Sequence, residues 1–457
     1  MQHSGHSRIV IIGAGPTGLG AAYRLRELGH TNWALYEQAD HLGGLSASFT
    51  DEQGFTWDIG GHVMFSHQPY FNQLADRLLA SQCVSHQREA WIRMLNTWVP
   101  YPFQNNLRHL PPEVVLQCLK GLMNAQRDAK PAGNFEEWIQ RTFGEGIATH
   151  FMLPYNFKVW ATPARLMACN WIAARVSVIT FEKALTNVIM KADDTGWGPN
   201  NTFNFPLHGG TGGFLNTLQP QVRDNLHYRK KAVSVDVDAR MVAFSDGTTE
   251  RYDALINTSA LDLFVGMLKS KSVAVAGLAA QAAHLKHNGV YIIGIGLKKK
   301  MTGTKCWVYF PEADMPFYRM TYFSHYSPYN VPRGDTDTYS SLICEVSFSE
   351  HKQVNESEVV DRTIDGLVKA GILEGGDRDL IVSRWLHKAD YAYPIPTQTR
   401  DEALRQIQPS LESNGIFSRG RFGAWKYEIG NMDHSVVMGA EAADRIVNNQ
   451  AERLWTL

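Results

Sequence analysis

The chain is poor in cysteine, with only Cys83, Cys118, Cys169, Cys306 and Cys344 in 457 residues. They are scattered, odd in number and form no C-x-x-C pair. That argues against a disulfide framework or a zinc site and fits a reducing compartment. No apolar run approaches the roughly 20 residues needed to cross a bilayer. Met1 to Val10 lacks the basic and apolar regions of a secretory leader. The expectation is a cytoplasmic protein with no membrane partner and no metal. Neither sign of charge is in excess, since the formal net charge is −1. That leaves no electrostatic footprint for nucleic acid. Internal repeats and low-complexity segments are also missing. So are the signatures of a protein nucleophile or a zinc hydrolase, G-x-S-x-G and H-E-x-x-H. Any chemistry then falls to a cofactor.

What is present begins with Arg8-Ile-Val-Ile-Ile-Gly13-Ala14-Gly15-Pro16-Thr17-Gly18. An apolar run ends on a glycine, and an amphipathic run follows from Leu19 to Leu28. Trp33 to Glu37 then reads as a second strand ending on a carboxylate. Gly13 permits a tight turn, Gly15 lets backbone approach a pyrophosphate, and Gly18 lets helix and strand pack closely. The helix start offers free N–H groups to phosphate. Glu37 stands where a ribose hydroxyl would be held. A second glycine series follows, Gly43-Gly44-Leu45 and then Gly60-Gly61-His62. This extended pattern resembles FAD-binding proteins of the amine oxidase and sugar mutase type.

At 457 residues the chain is long enough for two or three domains. The reading is α/β: a Rossmann-like FAD-binding domain (1–75, 205–265 and 410–457), an inserted helical domain (76–204) and an antiparallel β-sheet domain (266–409). Helices are predicted over Pro111–Ala125, Phe135–Phe143, Ile147–Leu153 and Ser357–Ala370. A loop at Gly209–Gly213 leads into another. Ala232 to Tyr252 alternates in strand fashion, with a hairpin turn at Asp246-Gly247. Ala254–Thr258 reads as a strand returning to the parallel sheet. Gly289–Leu297, Cys306–Phe310, Phe317–Phe323, Tyr339–Phe348 and Leu380–Leu386 read as further strands. Asn431 and Asp433 precede a last helix reaching about Asn449, a second helix start able to face the cofactor.

Three clusters carry chemistry beyond the first loop. Trp98 to Asn106 and Phe151 to Trp160 are dense in aromatics and amides. Aromatic faces stack on a base and amides read its edge, although the spacing equally fits aromatic core. Arg175 follows Trp171-Ile-Ala-Ala, Arg319 ends Pro316-Phe-Tyr-Arg319 with Tyr309 on the preceding strand, and Tyr393 (in Tyr391-Ala-Tyr393-Pro394) and Tyr427 (in Trp425-Lys-Tyr427) join them as a set. Arginine binds phosphate bidentately, at about 1.5–3 kcal/mol per charge-assisted hydrogen bond; a solvated surface arginine is the alternative. His62, behind two glycines, reads as a flavin or substrate contact or as a structural histidine.

Taken together, Gly60–His67, Trp98–Asn106, Pro154–Trp160, Trp197–Asn200, Gly209–Gly213, Tyr326–Asn330, Ser418–Gly423 and Gly430–Ser435 resemble the UDP-galactopyranose mutase family, eukaryotic-type branch. The resemblance runs from about residue 8 to about 449. It implies an isomerase that interconverts UDP-galactopyranose and UDP-galactofuranose without net redox change. FAD must first be reduced, by NADPH or NADH, and its N5 then acts as nucleophile on the anomeric carbon. By the same resemblance, Gly13, Gly15, Pro16, Thr17, Gly18, Glu37, Gly44, Leu45, Gly60, Gly61, His62, Gly423, Asn431, Met432 and Ser435 hold the cofactor. Tyr101, Phe103, Gln104, Phe151, Asn156 and Trp160 match a uridine pocket. Arg175, Arg319, Tyr309, Tyr393, Tyr427 and Asn431 match a diphosphate clamp, and Asn200 and Trp307 lie near the sugar. His62, Gly61, Arg175 and Arg319 are the residues expected to act in catalysis. Arg88 and Arg421 match the arginines that bind NADPH. Two departures stand out: Ala90 replaces a serine near Arg88, and Met432 replaces a glutamine near the flavin. Other readings compatible with the residues are a mutase for a different UDP-sugar, a flavin oxidase of the amine oxidase type, and a binding protein without turnover.

Overall fold

The computed structural model describes residues 7–125, 131–172, 175–196, 198 and 201–456. Its first sheet is built around Ile9–Ile12, four consecutive buried β-branched residues. Such a run suits a strand covered on both faces. It pairs in parallel with Ala254–Asn257 on one side and Trp33–Tyr36 on the other. Ile416–Ser418 and Leu226–His227 complete the five strands. Ligands of such sheets sit beyond the carboxyl ends of the strands, and Gly13 follows the central strand at that end.

Two helices cover this sheet, Pro16–Glu27 and Met432–Asn448. They cross at backbone contact. A Cβ on Gly20 would lie 2.2 Å from the Val436 carbonyl oxygen, and one on Gly439 would lie 1.9 Å from that of Thr17. The meander Ala232–Asp236, Met241–Phe244, Thr249–Arg251 turns at Asp246-Gly247 as the alternation implies, and Leu268–Lys269 joins it in parallel.

The second large sheet has seven strands. Its order is Ile381–Ile395, Lys286–Leu297, Ser340–Phe348, Arg319–Tyr322, Trp307–Tyr309, Ala90–Met94, Thr97–Pro100. The last two lie inside the segment 76–204 that the sequence reads as helical. Their hairpin turns at Leu95 and Asn96, both with positive φ (47° and 58°). Leucine in that conformation is rare, so no turn signal is visible in the sequence. The strand Ile381–Ile395 runs well past the predicted Leu386. It is an edge strand, and Lys388 and Asp390 face water there, so the polar residues look like a loop.

The helical region differs in one further respect. The expected helix Ile147–Leu153 is instead the end of Phe135–Ile147, a π-turn Ala148–Met152, and a helix Leu153–Trp160. The break falls at Gly144 (φ 75°), where a Cβ would lie 2.0 Å from the Gly121 carbonyl oxygen. The close crossing with Pro112–Ala125 imposes it. Among the described residues no helix is long and apolar enough to cross a membrane.

Candidate active site

The glycine loop has the geometry a pyrophosphate requires. Gly13 has φ 95°, and its N–H donates to the Tyr36 carbonyl at 2.8 Å. A Cβ on Gly18 would lie 1.8 Å from the Gly13 carbonyl oxygen, which explains the third glycine. Gly15 faces the backbone of Gly44, whose Cβ would come within 3.2 Å of Gly15 Cα. Pro16 occupies the first turn of its helix, where the missing N–H costs nothing. Thr17 is buried under Gly420. The Glu37 carboxylate accepts from the Ala14 N–H at 2.7 Å and the Ala39 N–H at 2.8 Å. That fixes a carboxylate beside the loop with lone pairs still available for a ribose.

The opposing helix start is also open. Asn431 caps it without a side-chain hydrogen bond, while Asp433 accepts from Ser66 at 2.6 Å. Ser435 is buried one turn on. Met432 packs against the apolar core between the parallel sheet and its two helices. Gly423 serves a tight turn, since a Cβ there would lie 2.2 Å from the Arg419 carbonyl oxygen. Leu45 packs between two cores. The helix at Pro16 has no acidic residue in its first turn, and the one at Met432 has only Asp433, which Ser66 engages; such helix starts, with the close glycine backbone of Gly13 to Gly18, fit a dinucleotide such as FAD.

The second sheet supplies the other wall. In its register Tyr309 lies opposite Arg319, and Arg319 lies opposite Glu345. Cross-strand neighbours share one face, so the three form a row. Glu345 is 3% exposed and receives Arg319 bidentately, Nε to Oε1 at 2.7 Å and Nη2 to Oε2 at 2.9 Å. It also accepts from Tyr318 and, at 3.0 Å, from the Gly61 N–H. Burial opposes its charge, yet the Arg319 guanidinium holds its carboxyl below the ordinary range. One buried carboxylate thus ties the expected phosphate ligand to the glycine pair at Gly60-Gly61. Sequence reading missed Glu345. Its only trace is a single charge inside the apolar strand Ser340–Phe348.

The structure brings other residues expected in the clamp together around this row. The Tyr393 and Tyr427 rings are 5.8 Å apart, and Trp160 meets both edge-on. The Arg175 guanidinium lies 4.7 Å from the Tyr427 ring centre, and that of Arg421 lies 5.3 Å from Tyr393. Burial raises the Tyr309 and Tyr393 phenols, with Arg319 pulling each back. Both stay protonated near neutrality and so can donate a hydrogen bond. Burial pushes the Arg421 guanidinium below its ordinary value. Arg88 lies 5.5 Å from the Tyr101 ring and donates to the Thr195 carbonyl at 2.9 Å. Ala90, two residues on, is buried opposite Trp307.

The aromatic set divides. Phe103, fully buried, stacks on Phe151 at 4.6 Å, and Phe151 stacks on Tyr155 at 5.1 Å. Tyr155 and Tyr101 both meet Tyr309, each at 5.2 Å. The Phe103 ring is therefore core support for the pocket wall. Gln104 donates to the Ser177 carbonyl, and Asn156 donates to the Met152 carbonyl at 2.7 Å. Trp307 is buried beside Phe203. Asn200 lies outside the described residues.

His62 follows Gly60 (φ 103°) and Gly61, whose Cβ would lie 2.4 Å from Thr321 Oγ1. Its Nδ1 is buried with no hydrogen-bond partner among the described residues. Burial, and then the nearby Arg421, pushes the imidazole down to about 4. The folded value lies below the unfolded value of about 6.5. Stability from this group is therefore full above about 6.5 and is lost as pH falls towards 4, by roughly 3 kcal/mol. Asp58 acts oppositely, because burial raises its carboxyl to about 6. Its contribution is full at low pH and lost as pH rises through about 6. Denaturant unfolding at pH 7 and pH 4.5 should show a smaller acid loss in His62→Gln than in the parent. An equal loss in both proteins would remove His62 from this account.

The fold and this site define a class. The profile of the flavin containing amine oxidoreductase family matches residues 16–447, and the chain belongs to that family. Cyclohexylamine oxidase from Brevibacterium oxydans shares the fold at 15% identity and a TM-score of 0.67, over 97% of this chain and 99% of that one. Within the class, the crystal structure of a reduced UDP-galactopyranose mutase is 44% identical. Its TM-score is 0.94, over 98% of this chain and 95% of that one, and the chain belongs with the UDP-galactopyranose mutases. A curated relative, 15-cis-phytoene desaturase from Synechococcus elongatus, is 41% identical over 71 residues, which span 16% of this chain and 15% of that protein.

Proposed function

We propose that this protein interconverts UDP-galactopyranose and UDP-galactofuranose with no net redox change. The observation that carries the reading is the row Tyr309, Arg319, Glu345, which joins the Arg319 guanidinium to the glycine pair Gly60-Gly61; in this reading that guanidinium binds the diphosphate. An oxidase of the same fold needs no such clamp. Bound, reduced FAD supplies the nucleophile that the sequence motifs do not.

The chain's own residues hold and orient the nucleotide. The parallel-sheet unit (1–75, 205–265, 410–457) carries the cofactor. The segment 76–204 carries the base pocket and Arg175, and 266–409 carries Arg319, Tyr309 and Tyr393. As the diphosphate leaves the sugar, negative charge grows on its oxygens. Preset guanidinium and phenol donors stabilise that charge without reorganising. The same donors keep the departed nucleotide in place for return. A ring-lined, water-poor pocket strengthens each of these contacts. His62, neutral at pH 7, adds no competing cation. Asn200 and Trp307 are the sugar contacts in this reading. Arg88 and Arg421 receive the phosphates of NADPH or NADH, and the enzyme works in the cytoplasm.

The test is incubation of dithionite-reduced protein with UDP-galactofuranose, followed by chromatography of the nucleotide sugars. UDP-galactopyranose should accumulate without stoichiometric use of a reductant. Peroxide formation instead, or no product, would overturn the reading.

A further inference from the structure

Arg400 opens the helix Arg400–Ser413 and is 1% exposed. A cation at that end of a helix is disfavoured by the helix dipole, so its burial needs a reason. Two carboxylates hold it. Nη1 and Nη2 donate to Glu428, both at 2.9 Å, and Nε donates to Asp401 at 2.8 Å. The other Asp401 oxygen accepts from the Asn170 amide at 2.6 Å. Glu428 in turn offers its backbone carbonyl to Arg175 Nη2 at 2.5 Å. The hub therefore reaches the chain on the amino side of Arg175 and the Arg175 side chain itself. Backbone contacts reinforce the first link. The Ala168 N–H donates to the Pro396 carbonyl at 2.7 Å, and Met167 bridges Thr397.

We infer that Arg400 is a positioning residue, one that fixes Arg175 over Tyr427 through the Glu428 main chain before the diphosphate arrives. The inference rests on the mutase reading. An arginine side chain has many rotamers, and ordering it on binding weakens affinity; ordering it beforehand removes that loss. Exposed ion pairs do little of this kind. Here the Arg400 guanidinium is buried and held bidentately by a part-buried carboxylate, which fixes geometry as well as charge. Neither Arg400 nor Glu428 needs to touch the nucleotide, since the Glu428 side chain is occupied by Arg400.

The test measures UDP and uridine binding to the flavin-loaded protein by calorimetry. Glu428→Gln loosens the hub but keeps the residue 428 carbonyl. It should weaken UDP about tenfold, leave uridine within twofold, and raise KM more than it lowers kcat. In an Arg175→Ala background the same change should alter UDP binding less than twofold, because the group being positioned is gone. Asn170→Ala, which leaves the Arg400–Glu428 pair intact, should weaken UDP about threefold with the same dependence on Arg175. It serves where Glu428→Gln does not fold. Equal losses with and without Arg175, or equal losses for UDP and uridine, would overturn the positioning role alone. A parent protein that fails to bind UDP would overturn the mutase reading and this inference with it.

Discussion

Replacing Arg319 by alanine should lower turnover by roughly a hundred- to a thousandfold and also destabilise the protein by about 3–5 kcal/mol. The first effect follows from the role proposed for Arg319, in the row with Tyr309, as a diphosphate ligand. The second follows from Glu345. That carboxylate is 3% exposed, and Arg319 is its bidentate partner. Without the guanidinium, burial is the dominant influence and drives the carboxyl towards its neutral form. A raised folded value means stability is present at low pH and lost as pH rises. The deficit of Arg319→Ala should therefore be larger at pH 8 than at pH 5. Arg319→Met combined with Glu345→Leu should recover much of the stability and none of the turnover, because an ion pair replaced whole leaves no stranded charge. Thermal unfolding alongside initial rates checks both. An Arg319→Ala protein with parental melting temperature at pH 8 would sink the account of Glu345.

Gly439→Val should yield a folded but largely colourless protein, with FAD occupancy lowered at least about tenfold, which is about 1.4 kcal/mol of binding. At Gly439 an added Cβ would fall 1.9 Å from the Thr17 carbonyl oxygen and 2.8 Å from the Ala21 nitrogen. Helix backbone does not yield there as a side chain would, so the two helices must separate. Overpacking of this kind costs about 1–3 kcal/mol and sometimes more. The cost falls on the cofactor because the crossing reaches Thr17, in the first turn behind the glycine loop. Gly20→Val, at the same crossing, should behave alike. Gly376→Ala, where an added Cβ meets nothing within 4 Å, should stay yellow. The ratio of flavin to protein absorbance decides it, and a yellow Gly439→Val protein at the parental ratio would refute the argument.

The sequence made the first loop and its strand–helix–strand setting legible because each part acts over neighbouring residues. A turn glycine, a close-approach glycine and a helix-packing glycine leave their mark within six positions. The aromatic and arginine motifs were legible as a set through resemblance to relatives. What each member touches was not. Phe103 was expected to meet uridine and is fully buried beneath Phe151. The hairpin at Ala90–Pro100 was hidden because its turn uses Leu95 with positive φ.

By itself, then, the chain's order of residues determined the cofactor class and the position of the first helix start, since local backbone geometry demands those glycines. Tertiary structure alone decided that Arg319 shares its charge with Glu345, that Glu345 reaches Gly61, and that Arg400 lies behind Arg175. Glu345 and Gly61 are 284 positions apart, and Arg175 and Glu428 are 253 apart. No local preference speaks across such separations. Strand register and helix packing bring those groups together, and burial makes each pairing obligatory.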